Sequence, residues 1–100
     1  MTSFSEKPLE VLLELLGQSG VYAILRALQE GPRRFGVLQQ TTALPPRTLS
    51  LRLKELEEFG LIKRTEYKEV PPRVDYALTP RGRALQPALQ ALADWEAQLH

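Results

Sequence analysis

PPRTLSLRLKELEEFGLIKRTEYKEVPPRVDY, residues 45–76, is the stretch whose reading decides the fold. Pro46 suits the first turn of a helix, where its missing N–H costs nothing. That helix runs to about Phe59 and is stopped by Gly60. Leu49, Leu53 and Leu56 recur at spacings of four and three, which places them on one face. After Gly60 the chemistry changes. From Leu61 to Val70 the residues are strand-like, with Ile62, Arg64, Glu66 and Lys68 on one side and Lys63, Thr65, Tyr67 and Glu69 on the other. Pro71-Pro72 forbids both helix and central-strand pairing, so it marks a hairpin tip. Arg73 to Leu78 is the returning strand.

Working outward, Thr41 to Pro46 has the composition of a turn, and a short helix bearing Phe35, Val37 and Leu38 precedes it, ending near Thr42. Arg33-Arg34-Phe35 reads either as a minimal strand or as a turn. Upstream, Val21, Ile24, Leu25 and Leu28 form a helical stripe closed by Gly31-Pro32. From Lys7 to Leu16 another stripe, Leu9, Leu12, Leu13 and Leu16, follows helical spacing, and Gly17 and Gly20 end it. Downstream, Thr79-Pro80 starts a last helix, threonine as cap and proline in the first turn. It runs to Leu99, with Leu85, Leu89, Leu92 and Trp95 along one stripe. The order is helix, helix, short strand, helix, helix, strand, strand, helix. Two helices joined by a short turn and followed by a hairpin make a winged helix-turn-helix, mainly α with a small β-hairpin.

The chain has 100 residues, 43% hydrophobic and 25% charged. That describes a single globular domain spanning residues 1–100. No apolar run approaches the roughly 20 residues of a membrane span, and no signal-peptide layout opens the chain, so a cytoplasmic location without membrane contact is expected. There is no cysteine, which removes disulfides and thiolate metal sites. The net charge of +1 conceals an asymmetry. Residues 31–83 hold eleven Lys or Arg against six acids, a local excess of +5, whereas residues 1–30 carry two positive charges and four negative. Nine of the thirteen basic residues are arginines, which suit bidentate contacts to phosphate and guanine.

On a wheel of about 100° per residue, a core-facing Leu49-Leu53-Leu56 stripe leaves Arg47, Ser50, Leu51 and Lys54 outward, with Thr48 and Arg52 on the flanks. Arg, Thr, Ser and Lys in the N-terminal half suit phosphate and base-edge hydrogen bonds. Glu55, Glu57 and Glu58 gather in the C-terminal half and would repel phosphate, so the helix should enter DNA N-terminus first. Leu51 either touches a thymine methyl or is tolerated surface. The hairpin adds Lys63, Arg64, Lys68 and Arg73 beside Pro72, a wing for the sugar-phosphate backbone. Arg33 and Arg34 precede the motif, within reach of phosphate. The competing assignment for these cations is local pairing with Glu66, Glu69 or Asp75. The expected DNA contacts are therefore Arg33, Arg34, Arg47, Thr48, Ser50, Leu51, Arg52, Lys54, Pro72 and Arg73.

Gly31-Pro32-Arg33-Arg34-Phe35, the run Leu49 to Glu58 followed by Gly60-Leu61, Arg64, and Tyr67 together closely resemble the HxlR-type family of bacterial winged-helix transcriptional regulators. The likeness continues through Glu69-Val70-Pro71-Pro72-Arg73-Val74-Asp75-Tyr76, Leu78-Thr79, Gly82 and Trp95, and spans about Gly20 to Trp95. It implies a homodimer in which N- and C-terminal helices of two chains pack together on a roughly palindromic double-stranded DNA operator. The apolar stripes agree: Leu9, Leu12, Leu13 and Leu16 with Leu89, Leu92 and Trp95 exceed what a compact motif buries easily. The alternative is that they close the monomer core. Many family members carry a cysteine near the N-terminus, used in some to sense oxidants; this chain departs from that pattern, so its effector is not indicated.

An enzyme is disfavoured. His100 is the only histidine, at the chain end, and no glycine-rich phosphate loop or metal-ligand spacing appears. No cofactor or metal is expected. The remaining rival is a winged-helix protein-interaction module without direct DNA binding.

Overall fold

Residues 8–99 are described by the computed structural model; the expectations placed on Lys7 and His100 fall outside them. These residues form helix α1 (Pro8–Leu16), α2 (Val21–Leu28), strand β1 (Arg33–Arg34), α3 (Phe35–Thr42), α4 (Pro46–Glu58), β2 (Ile62–Tyr67), β3 (Arg73–Leu78) and α5 (Pro80–Ala97). The fold is mainly helical with a small antiparallel sheet, a winged helix-turn-helix with extra helices at both ends.

The core is built around α2. Its Val21, Ile24, Leu25 and Leu28 are wholly buried, as the spacing of the stripe requires. Leu38 of α3 and the Leu49-Leu53-Leu56 stripe of α4 close on it, with Leu15 of α1 and Leu89 of α5 at its margins. Each such side chain contributes about 1.5–3 kcal/mol by leaving water. Ile62 and Leu78, the first and last residues of the hairpin strands, bury its base in the same cluster. The wing is thus anchored at one end only.

Arg33-Arg34 is a strand, resolving the alternative of a turn. It pairs with β3, Arg33 opposite Tyr76 and Arg34 opposite Asp75, so β3 is the central strand in the order β1-β3-β2. Two boundaries differ from the sequence reading. The outgoing wing strand stops at Tyr67 and does not reach Val70, because pairing ends at Tyr67 opposite Arg73 and the prolines hold the intervening residues in a loop. The last helix ends at Ala97, two residues short of Leu99, where a turn follows with Gln98 N–H on Trp95 O and Leu99 N–H on Glu96 O.

Two glycines set the geometry between α4 and α5. Gly60 adopts φ 83° and ends α4: its N–H donates to Glu57 O at 2.9 Å and the Leu61 N–H to Leu56 O at 3.0 Å. This is the paired closure that a left-handed residue after a helix allows. Gly82 is required by proximity, since a Cβ there would lie 2.1 Å from the Leu61 carbonyl oxygen. Thr79 joins the two sites. Its hydroxyl donates to Gly60 O at 2.5 Å and accepts from the Gly82 N–H at 3.0 Å, capping α5 as expected.

Candidate nucleic-acid interface

The turn between α3 and α4 aims the second helix. Ala43 ends α3 in the left-handed region, φ 58°, with its N–H on Gln39 O at 2.8 Å. The Thr42 hydroxyl donates to Leu38 O at 2.8 Å and accepts from the Leu44 N–H at 3.3 Å. Pro45 is extended and Pro46 begins α4, so the chain turns within a few residues of restricted backbone. No side chain caps α4, and its first internal bond is Leu49 N–H to Pro45 O. The amides of Arg47 and Thr48 are left facing the position a phosphate oxygen takes at a helix N-terminus.

On α4 the wheel is reproduced. Arg47, Ser50, Leu51 and Lys54 are exposed, Thr48 and Arg52 are half-buried on the flanks, and Leu51 keeps 50% of its surface. The cations divide sharply by partner. Among the described residues Arg34, Arg47, Lys54, Lys63 and Lys68 have no carboxylate within 4.0 Å. Arg33 instead lies 3.4 Å from Glu30 and donates to its neighbour Pro32 O at 2.9 Å. Arg52 is 3.0 Å from Glu55, with only 15% of its side chain exposed. The half-buried Arg73 is 3.7 Å from both Glu69 and Asp75. Arg64 stands opposite Tyr76 across the hairpin and 3.4 Å from Glu66; the tyrosine first, then the carboxylate, holds its pKa above the ordinary guanidinium value. The local pairing weighed from sequence therefore occurs at Arg64 with Glu66 and at Arg73 with Glu69 and Asp75. Arg33 and Arg52 pair with carboxylates not anticipated, in each case three residues away along the chain. Pro72 is exposed at the wing tip.

The terminal helices divide in another way. Leu9, Leu13, Leu92 and Trp95 are exposed, Trp95 by 61%. Leu12 and Leu16 are half-buried against the core, and Leu89 is a core residue with 6% exposure. Each stripe has an inner part, and three of the seven leucine and tryptophan positions expected at a partner turn inward. Between α1, α2 and α5 lies an apolar groove of about 540 Å³ lined by Leu13, Leu16, Tyr22, Leu89, Leu92 and Ala93. Tyr22 was missed from sequence; its place one residue off the buried α2 stripe was the available signal. Among the described residues no single helix is long and apolar enough to cross a membrane, and no cluster of His, Cys, Asp or Glu could hold a metal ion.

A short turn aiming a helix with free cations, backed by a hairpin wing, defines a winged helix-turn-helix DNA-binding protein. Comparison with known proteins gives the family. Residues 15–100 match the model of the HxlR-like helix-turn-helix family. An uncharacterized HTH-type transcriptional regulator of Synechocystis sp. is 44% identical, over 88% of this chain and 69% of its own. YdeP, an uncharacterized HTH-type transcriptional regulator of Bacillus subtilis, is 38% identical over 92% of this chain and 73% of its own. The reduced form of the transcriptional regulator YodB from B. subtilis superposes with a TM-score of 0.85 at 35% identity, covering 91% of this chain and 90% of that one. The chain belongs to the HxlR-like helix-turn-helix family, and so to the DNA-binding transcriptional regulators.

Proposed function

We propose that the protein acts as a cytoplasmic homodimeric repressor. Two copies pair through the outer faces of α1 and α5 and set their α4 helices into successive major grooves of a roughly palindromic operator. The observation that carries this reading is the exposed face of α4, where Arg47 and Lys54 flank Ser50 and Leu51 with no carboxylate holding either cation. Arg47 suits bidentate contact with guanine O6 and N7, Ser50 a base edge or phosphate, and Leu51 a thymine methyl. Arg34, at the edge of the sheet, suits a phosphate beside the motif. The exposed leucines and Trp95 of the terminal helices supply the partner face. A two-fold pair presents α4 twice, which matches operator symmetry to protein symmetry. Occupancy of a promoter by such a dimer blocks transcription. YodB was solved in a reduced form; these 100 residues contain no cysteine, so a thiol switch has nothing to act on here.

The test is selection of bound duplexes from random-sequence DNA, followed by a mobility shift across salt concentrations. Two half-sites about one helical turn apart, with affinity falling as salt rises, are the expected result. Absence of binding at low salt overturns the reading.

A further inference from the structure

The wing holds an arrangement that the DNA-binding reading leaves unused. Tyr67 and Arg73 form the last cross-strand pair before the tip, and directly opposed residues share a face of the sheet. The Arg73 guanidinium lies over the Tyr67 ring, 4.2 Å from its centroid. Glu69 Oε2 approaches from the tip and Asp75 Oδ1 from β3, each at 3.7 Å. One side chain thereby ties together the end of β2, the tip loop and the central strand. These are ion-pair distances, not hydrogen bonds, and Arg73 Nε is buried without a hydrogen-bond partner. Two carboxylates around one guanidinium leave the cluster with a formal charge of −1, which disfavours an approaching phosphate. Lys68 differs on each count. It is exposed, has no carboxylate within 4.0 Å among the described residues, and sits at the apex of a three-residue turn closed by Glu69 N–H to Tyr67 O at 2.9 Å.

Resting on the DNA-binding reading above, we propose that Arg73 is a positioning residue of the wing and that Lys68 is the wing's phosphate contact. Stacking on Tyr67 and the grip of Glu69 and Asp75 fix the tip, so that Lys68 and the fully exposed Val70 meet the duplex in one orientation. A lysine at position 73 keeps the charge but has no planar group to lie on the ring.

The experiment measures affinity against salt for a mixed-sequence duplex, with hydroxyl-radical footprints on the strongest duplex recovered by selection. Lys68→Ala should make the dependence of log K on log salt shallower by about one unit per bound protomer. Arg73→Gln and Tyr67→Leu should leave that slope unchanged, because Lys68 still reaches a phosphate, but should weaken binding roughly 3- to 10-fold and spread the sugar protection under the wing over more positions while protection under α4 stays sharp. Arg73→Lys should behave like Arg73→Gln. If Arg73→Gln flattens the slope as Lys68→Ala does and Arg73→Lys restores it, Arg73 is itself the phosphate contact and the proposal is overturned. An unchanged footprint and affinity in both Arg73→Gln and Tyr67→Leu overturns it as well, and Tyr67→Leu alone decides should Arg73→Gln not fold. Failure of the wild-type protein to bind either duplex instead overturns the DNA-binding reading and takes this proposal with it.

Discussion

The α4 side of the molecule, proposed above as the DNA side, and the terminal-helix side are both made from amphipathic helices and end with opposite surfaces. On α4 one leucine stripe goes wholly into the core, and what is left outside is, apart from Leu51, cationic and polar as far as Lys54 and acidic from Glu55 to Glu58. On α1 and α5 the apolar residues divide between core and surface. Leu12, Leu15, Leu16, Leu85 and Leu89 pack inward while Leu9, Leu13, Leu92 and Trp95 stay out. The cause differs between the two helices. Adjacent leucines such as Leu12-Leu13 give α1 two apolar surfaces, whereas α5 carries a single stripe that is buried at Leu89 and exposed from Leu92 to Trp95. The same contrast runs through the arginines: among the described residues Arg34 and Arg47 have no carboxylate within 4.0 Å, whereas Arg33, Arg52, Arg64 and Arg73 each have one or two.

The sharpest way to break the comparison is to treat an inner and an outer leucine alike. Leu53→Ala removes a side chain with 1% exposure, and should cost about 2–5 kcal/mol through lost burial and a residual cavity. Leu92→Ala, with 57% exposure, should stay within about 0.5 kcal/mol in dilute protein. Denaturant unfolding at low protein concentration checks both; equal losses would mean that α5 packs as a core helix. In concentrated protein the outer face should matter. Leu13→Ala combined with Trp95→Ala should weaken self-association by about 2 kcal/mol or more, roughly 30-fold in dissociation constant. Sedimentation across a concentration series reads this directly, and an unaltered mass distribution would remove that face from the partner interface.

On the DNA side the equivalent contrast is between a free and a held arginine. Arg47→Ala should cost roughly 1–3 kcal/mol of binding and relax preference at one base position. Arg52→Ala loses a pair with Glu55, and should relax no base preference, its effect appearing in thermal stability. Binding-site selection with each variant distinguishes them. A uniform loss for Arg47→Ala across all duplexes would make it a phosphate contact, and a changed base preference for Arg52→Ala would place it in the groove.

Element order, the α4 face and the returning strand were legible because each rests on local chemistry: periodicity, a proline at a helix start, a glycine after its end. Arg33-Arg34 could not be resolved because its strand exists only through pairing with β3, which comes forty residues later. Pairing was legible in the wing, where Glu66, Glu69 and Asp75 were weighed, but not at Arg33 with Glu30 or at Arg52 with Glu55. Arg52 and Glu55 stand three apart on a helix, a spacing that favours contact, but the sequence offers Arg52 to DNA just as readily. Nor does a leucine stripe say where its edge lies: Leu89 belongs to a stripe expected at a partner or in the monomer core, and it lies in the core. Trp95, three and six residues beyond the stripe's Leu92 and Leu89, stays out because among the described residues no element covers the far end of α5.

The smallest effect concerns backbone strain, and it lies on the DNA side. Ala43 holds φ 58° at the turn that sets α4 against α3, the only non-glycine residue with positive φ among those described. A left-handed alanine costs roughly 1–2 kcal/mol, whereas glycine returns about 0.4–1 kcal/mol of that through its freer unfolded chain. Ala43→Gly should therefore stabilise the fold by about 1 kcal/mol or less, with DNA affinity unchanged if Thr42 and the two prolines alone fix the direction of α4. Loss of affinity together with gained stability would show that the methyl group of Ala43 helps hold the helix at its angle. Loss of stability would show instead that the turn is not strained, and that the DNA side carries its function at no conformational cost.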